Sequence, residues 1–268
     1  MHISILDPYI DRPSLIHVLD PRIKLILTIA YILTCALLPS GAWPAYLILF
    51  ALIFSAVILS NLGVGFVLKR ALLALPFVLA ALPILFTQPG PVAWRIPLGF
   101  TTLVVTQPGL ERFLSITFKS WVSVQAAILL ASTMPFPDLL LAMRAVKFPR
   151  LLVAIIGLMW RYLFVLADET LRLIRARASR SAETADVGRR TGGSIAWRAR
   201  VTGGMVGNLF LRSFDRSDRI YLAMISRGYD GEIRNFPLMP VPPLQRLVLI
   251  AFLFVFILLI ILGILFWA

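Results

Sequence analysis

Charged residues are scarce in this chain of 268 residues. Asp, Glu, Lys and Arg make up 15% of it, whereas soluble domains carry about 25%. Hydrophobic residues make up 59%, and a helix of about 20 apolar residues is enough to span a bilayer core. The composition therefore predicts a membrane protein of several spans rather than a soluble domain. The four longest stretches that lack all four charged residue types are 25–68, 71–94, 120–137 and 247–268.

Groups for catalysis, metal binding and nucleotide hydrolysis are scarce as well. The single cysteine, Cys35, lies in an apolar run, and the two histidines, His2 and His17, lie near the N-terminus. No cluster has metal-ligand spacing, and no lysine follows a glycine as a phosphate-binding loop requires. The apolar runs hold almost no ionisable groups, which disfavours a self-contained ion-coupled transporter. We expect no enzyme activity, no metal site and no directly bound cofactor.

The chain is nevertheless strongly basic, with a formal net charge of +13. Residues 138–246 hold 18 of the 26 Lys and Arg residues. Cytoplasmic segments of membrane proteins collect Lys and Arg, so this block is expected inside the cell, and no nucleic-acid partner is needed to explain the charge. We predict three regions: 1–134 with a cytoplasmic N-terminus, the cytoplasmic block 135–243, and 244–268.

The apolar runs predict an all-α fold with about five transmembrane helices. Lys69 and Arg70 are predicted to mark a cytoplasmic turn after the second helix. The Gly- and Pro-rich linker 88–112 is predicted to be a loop. The last helix would leave the C-terminus outside the plasma membrane. The five predicted spans are 23–38, 44–60, 71–87, 113–134 and 246–267.

The basic block is predicted to form three further helices, at about 137–147, 150–182 and 196–228, with a flexible connector at 188–194. The segment 151–167 is apolar enough for a sixth span. Arg161 near its centre would cost about 2.5–3.5 kcal/mol in the bilayer. We therefore favour a helix buried against other protein at the membrane surface.

Two of these predicted helices end in an arginine between small residues. Such a guanidinium offers fixed donors to a partner, and small neighbours allow close approach. The alternative is that each arginine only complements the dipole of its helix, which is worth about 0.3–1 kcal/mol. A surface ion pair between Asp215 and Arg219 is also expected, because they are four residues apart. The predicted docking residues are Ser179, Arg180 and Ser181, and Ser226, Arg227 and Gly228.

Four motifs follow one another along nearly the whole chain: Ser14-x-x-His17-x-x-Asp20-Pro21-Arg22-x-Lys24-Leu25; Pro135-Phe136-Pro137-Asp138-Leu139-Leu140; Phe148-Pro149-Arg150-Leu151-Leu152 with Trp160-Arg161-Tyr162; and Arg216-Ser217-x-Arg219-x-Tyr221-x-Ala223-Met224-x-Ser226-Arg227-Gly228-Tyr229. The last of the four is the most specific. In these motifs the chain resembles the transmembrane T component of energy-coupling factor transporters. The similarity is greatest to the cobalt-transport type, CbiQ.

The resemblance implies cytoplasmic coupling helices, two of which end in an x-Arg-x motif that docks on ABC-type ATPase subunits. The matching arginines are Arg180 and Arg227, and Arg177 is the rival for the first motif. ATP hydrolysis and metal ligation would belong to the ATPases and to a separate substrate-binding membrane component, the S component. The substrate implied is cobalt, with nickel as the alternative. The competing function is a secondary transporter or channel that acts alone.

Overall fold

The computed structural model describes residues 8–72, 75–97, 102–180, 194–231 and 240–267. Within these ranges the chain is almost entirely helical, which confirms the predicted all-α membrane fold, with one two-stranded antiparallel sheet. The elements are α1 Leu15–Val18, α2 Pro21–Leu37, α3 Trp43–Leu59, α4 Val64–Ala71, α5 Leu75–Ala81, α6 Ile84–Thr87, β1 Val92–Pro97, β2 Thr102–Thr106, α7 Gln107–Thr133, α8 Phe136–Ala145, α9 Arg150–Arg180, α10 Ile195–Ile225 and α11 Pro243–Trp267.

Three of the described helices, α7, α9 and α11, are long and apolar enough to cross a membrane. The apolar helix α3 is shorter, at 17 residues, and α2 has the same length. Four of the five predicted spans are thus confirmed as helices, with ends within a few residues of those expected except at the start of α7. The chain divides into two compact units, residues 1–146 with 238–268 and residues 147–237.

The core of the first unit lies among α2, α3, α7 and α11, and α8 packs against α2. Aromatic side chains join α3 to α7, where Phe50 stacks on Trp121 with ring centroids 5.6 Å apart. Tyr31 of α2 packs edge-on against Phe256 of α11, with ring centroids 5.9 Å apart. In a bilayer the hydrophobic effect contributes little to the association of helices, so packing contacts such as these stabilise the arrangement of the predicted spans.

The N-terminal motif forms a set of caps around the start of α2. The Asp20 side chain accepts a hydrogen bond from the backbone N–H of Arg22 at 2.9 Å, and Pro21 occupies the first helical turn. Ser14 caps α1 in the same way by accepting from the backbone N–H of His17. Asp20 therefore acts as the N-cap of the first long helix.

Lys24 connects this segment to α7 and is only 8% exposed. Its Nζ donates to the backbone carbonyl of His17 at 3.0 Å and to that of Thr133 at 3.2 Å. Thr133 is the last residue of α7, where carbonyls lack helical partners. One ammonium group thus bonds to two backbone carbonyls, the farther of which is 109 residues from Lys24 in the sequence.

The prediction of one continuous helix over 71–87 is wrong. Helix α5 ends at Ala81, and a turn at Leu82 and Pro83 separates it from α6. Proline has no backbone N–H and its ring displaces the preceding turn, so the helix is interrupted there although the neighbouring residues are apolar. Lys69 and Arg70, predicted in a turn, lie instead in the last turn of the short helix α4.

The predicted loop at 88–112 is also wrong in part. The segments Val92–Pro97 and Thr102–Thr106 pair as an antiparallel hairpin, which β-branched residues favour. Helix α7 then begins at Gln107, six residues earlier than expected, with Pro108 in its first turn. Thr106 caps it by accepting from the backbone N–H of Gly109 at 3.3 Å.

The second unit consists of the long helices α9 and α10, which confirm the predicted helices at 150–182 and 196–228. Helix α8 confirms the one predicted at 137–147. The connector at 188–194 lies outside the described residues except for Ser194, which caps α10. Within the described part of 151–167, Ala154 is buried, while Leu151, Ile155 and Met159 are exposed. This apolar surface is open to a bilayer or to another protein, so the predicted placement of 151–167 stays a prediction.

Candidate docking site on the long helices

Helices α9 and α10 are held together by a small polar network. The Nη2 of Arg216 donates to Oε2 of Glu169 at 3.0 Å, and Nη1 of Arg212 lies 3.7 Å from Oε1 of the same carboxylate. Towards the end of α9, Nη1 of Arg177 donates to Oγ1 of Thr202 at 3.0 Å. From the first contact to the second, the residue number rises in α9 and falls in α10, so the two helices run antiparallel.

Glu169 is the centre of this network, with a side chain only 16% exposed. Arg216 is 34% exposed and Arg212 is 64% exposed. Because water screens an exposed ion pair, the contact with Arg216 contributes most of the stabilisation and the one with Arg212 little. The expected pair of Asp215 with Arg219 is wrong, since neither residue forms an ion pair within the described part of the chain.

The first predicted docking motif lies at the C-terminal end of α9. Arg180 is the last helical residue and is exposed. The hydroxyl of Ser179 donates to the backbone carbonyl of Ala176 at 3.0 Å, so the Ser179 side chain is held against its own helix. The Arg180 guanidinium is then the polar group of this motif that can extend to a partner. Ser181, the third residue of the motif, lies outside the described residues.

The second motif ends α10 with a defined backbone turn. Gly228 has φ +77, and its N–H donates to the carbonyl of Ile225 at 2.9 Å. The N–H of Tyr229 donates to the carbonyl of Met224 at 3.0 Å. This pair of bonds is a Schellman motif, which needs a residue in the left-handed region and therefore favours glycine. The turn fixes the point at which Arg227 leaves the helix.

The two motifs share a local geometry that their sequences only suggest. The hydroxyl of Ser226 donates to the carbonyl of Ala223 at 3.0 Å, in the same way as Ser179. The guanidinium groups of Arg180 and Arg227 make no hydrogen bond or ion pair with any residue in the described ranges. Both guanidinium groups are therefore available to a partner.

Arg177, the rival for the first motif, is placed differently. Its guanidinium is engaged by Thr202 of α10, so it already contributes to the contact between the helices. The exposed Arg180, one turn further on, is the better candidate for an external contact.

The antiparallel pairing also separates the two arginines. Arg177 and Thr202 mark the same level of the two helices. Arg180 lies about one turn from that level in one direction, and Arg227 lies 25 residues from it in the opposite direction. At 1.5 Å per residue this is about 38 Å, so one small surface could not engage both.

Sequence reasoning missed Glu169 as the link between the helices. The only local signal is a pair of carboxylates, Asp168 and Glu169, at the point where α9 changes from apolar to basic. Nothing in the local pattern indicates that Glu169 faces arginines in another helix while Asp168 is exposed. Among the residues that the structure describes, no three His, Cys, Asp or Glu side chains lie together as a metal site would need.

Comparison with known proteins agrees with the motifs. The family model described as "CbiQ: Cobalt transport protein" matches residues 12–238, which is most of the chain. The chain belongs to this family.

Its similarity to curated proteins extends over nearly the same length. It is 29% identical over 237 residues to the energy-coupling factor transporter transmembrane protein EcfT of Lacticaseibacillus paracasei, covering 85% of each chain. It is 25% identical over 241 residues to the protein of the same name from Bacillus subtilis, covering 86% of each. It is 26% identical to an uncharacterized protein of Methanocaldococcus jannaschii, covering 85% of this chain and 76% of the relative. This family member is thus a membrane T component of an energy-coupling factor transporter.

Proposed function

We propose that the chain is the coupling component of an ATP-driven importer for cobalt ions, with nickel as the alternative substrate. It would transmit conformational changes of ABC-type ATPase subunits to a separate S component. The observation that carries this proposal is the pair of unengaged guanidinium groups at the ends of α9 and α10. The metal is proposed from the cobalt transport description of the family.

The docking role rests on the rigidity and chemistry of the two helix ends. Arg180 and Arg227 each follow a serine whose hydroxyl bonds to its own helix, so little competes for the guanidinium. Arginine pairs with carboxylates and backbone carbonyls through several fixed donors, and such contacts are strong when a partner excludes water. A pair of helices joined at Glu169 would carry a displacement of one end to the other.

A membrane partner would contact the apolar face of α10. Phe210, Phe214 and Tyr221 are 65%, 61% and 57% exposed and lie on one side of the helix. Gly203 and Gly207 continue this side, and a Cβ added at either would meet nothing within 4 Å. Small residues beside aromatic ones allow another helix to approach closely. This surface supports an S component as the second partner.

In this proposal the chain binds no cofactor of its own, and ATP is used by the ATPase subunits. It lies in the plasma membrane with its N-terminus and residues 135–243 in the cytoplasm, where ATP is available. The basic residues of the long helices support that orientation, because cytoplasmic segments of membrane proteins are enriched in Lys and Arg.

Purification and transport measurements test this function. We expect the tagged chain, purified from its native membranes, to bring down a nucleotide-binding subunit and a second membrane protein. In liposomes that complex should take up cobalt only with ATP, and the chain alone should take up none. Cobalt uptake by the chain alone, without ATPase subunits, would instead identify a self-contained transporter or channel and overturn the proposal.

A further inference from the structure

An apolar cavity of about 160 Å³ opens on the side of the first unit. Its wall is formed by α2, α3, α7 and α11, with Ile16 and Leu19 of the N-terminal segment at one end. Leu52 and Phe252 are among the apolar side chains that line it. It lies at the level of the predicted spans, so hydrocarbon rather than water would be its neighbour.

The polar side chains that line the cavity are all engaged within the protein. The Tyr31 hydroxyl donates to a backbone carbonyl of α3, and the Thr28 and Thr133 hydroxyls donate to carbonyls of their own helices. The fourth polar group, Lys24 Nζ, donates to two backbone carbonyls. The cavity therefore presents a hydrocarbon surface and is unsuited to a metal ion or a polar substrate.

If the cavity were empty, the atoms that line it would lack dispersion contacts on the side that faces the cavity. A lipid acyl chain can recover those contacts without dehydrating any polar group. The neighbouring lipid is also present at high concentration, whereas a soluble ligand would have to reach the cavity through the bilayer.

A free cation lies near the end of the cavity at which α11 begins. Gln245 Oε1 accepts the backbone N–H of Asp20 at 2.9 Å, which fixes the first turn of α11 beside Leu19. The next residue, Arg246, is exposed, and its guanidinium makes no hydrogen bond or ion pair with the described part of the chain. A phosphate group at the membrane surface would find a bidentate partner there.

We propose that this cavity holds one acyl chain of an anionic phospholipid whose phosphate lies at Arg246. The lipid would fill the gap between α2, α3, α7 and α11 and act as a structural component of the membrane unit. This inference is independent of which metal is transported and of which ATPase docks on the long helices.

Native mass spectrometry of the full-length chain tests the acyl-chain contact. After mild delipidation and addition of phosphatidylglycerol, we expect one phospholipid to remain bound to the natural sequence. Ala56→Phe fills the cavity from α3 and should reduce that retention at least several-fold. The matched control is Ala51→Phe, an exposed position on the same helix, which should retain the lipid. Equal retention by both variants, or no retained lipid on the natural sequence, would overturn the proposal.

A second variant and a second lipid test the head group and guard against misfolding. Arg246→Gln should bind phosphatidylglycerol and phosphatidylcholine equally, whereas the natural sequence should prefer phosphatidylglycerol. If Ala56→Phe does not fold, Val248→Trp narrows the cavity from α11 instead and should lose the lipid in the same way. An unchanged preference for phosphatidylglycerol in Arg246→Gln would contradict the assigned phosphate contact.

Discussion

Replacing Arg180 and Arg227 together with alanine is expected to abolish recovery of the ATPase subunits and cobalt uptake. Each arginine is proposed to enter a water-excluded contact, and truncating one partner of a buried charge pair costs about 2–5 kcal/mol. That range corresponds to roughly 30-fold to several thousand-fold weaker binding for each site. Both effects are measured on one preparation, by ATPase yield after affinity purification and by ATP-dependent uptake in liposomes.

The same helices supply matched controls for this loss. Arg175 and Arg219 are exposed and lie on α9 and α10 away from the helix ends, and their guanidinium groups form no hydrogen bond or ion pair with other described residues. Alanine at these two positions removes the same charge and should leave the ATPase complex intact. Thermal unfolding of the double variants should match that of the natural sequence. Normal complex yield and uptake in the Arg180 and Arg227 double variant would refute the docking role.

Single variants decide the register of the first motif. Because Arg180 is unengaged and Arg177 donates to Thr202, Arg180→Ala should weaken ATPase binding more than Arg177→Ala does. The opposite order would move the docking arginine to Arg177.

Replacing Glu169 with glutamine is expected to separate ATPase binding from transport. The change removes the charge that holds Arg216 at 3.0 Å and Arg212 at 3.7 Å, so the contact between α9 and α10 weakens. A hydrogen bond to a charged group contributes about 1.5–3 kcal/mol, and the exposure of both arginines favours the lower end. The docking residues Arg180 and Arg227 are unchanged, so the ATPase should still be recovered with the variant. Uptake should fall by about tenfold.

Asp168→Asn is the control for Glu169→Gln, because it makes the same charge change at the adjacent, exposed residue. It should affect neither ATPase recovery nor uptake. The role assigned to Glu169 would be contradicted if Glu169→Gln transported normally, or if it lost the ATPase to the same degree as the arginine variants.

Local signals in the sequence explain why α8, α9 and α10 were predicted well. Phe148-Pro149 separates α8 from α9, and Gly228 ends α10 with the positive φ that glycine tolerates. The spans α2, α3, α7 and α11 follow from apolar length, which is a strong signal in membrane proteins. The interruption at Pro83 is not predicted, because the apolar run 71–87 has the length of a span and a single proline does not always break a membrane helix.

Contacts between residues that are distant in the sequence could not be predicted. Lys24 bonds to a carbonyl 109 residues away, and Glu169 accepts from an arginine 47 residues away. The side-chain types are compatible with many partners, and only the packing of the helices selects among them. The two candidate docking motifs are recognisable in the sequence because each is a local pattern at a helix end.

Sided labelling of the two arginine ends tests the central proposal most directly. Cysteine is introduced at Ser179 or Ser226, both exposed, in a chain whose buried Cys35 is replaced by alanine. A cysteine at Trp94 serves as the positive control, because this 77% exposed residue follows the third predicted span and a cytoplasmic N-terminus would place it outside. We expect a membrane-impermeant maleimide to label Trp94→Cys in intact cells, and to label Ser179→Cys and Ser226→Cys only after permeabilisation. Labelling of Ser179→Cys or Ser226→Cys in intact cells would put the guanidinium groups outside, where no ATPase could reach them.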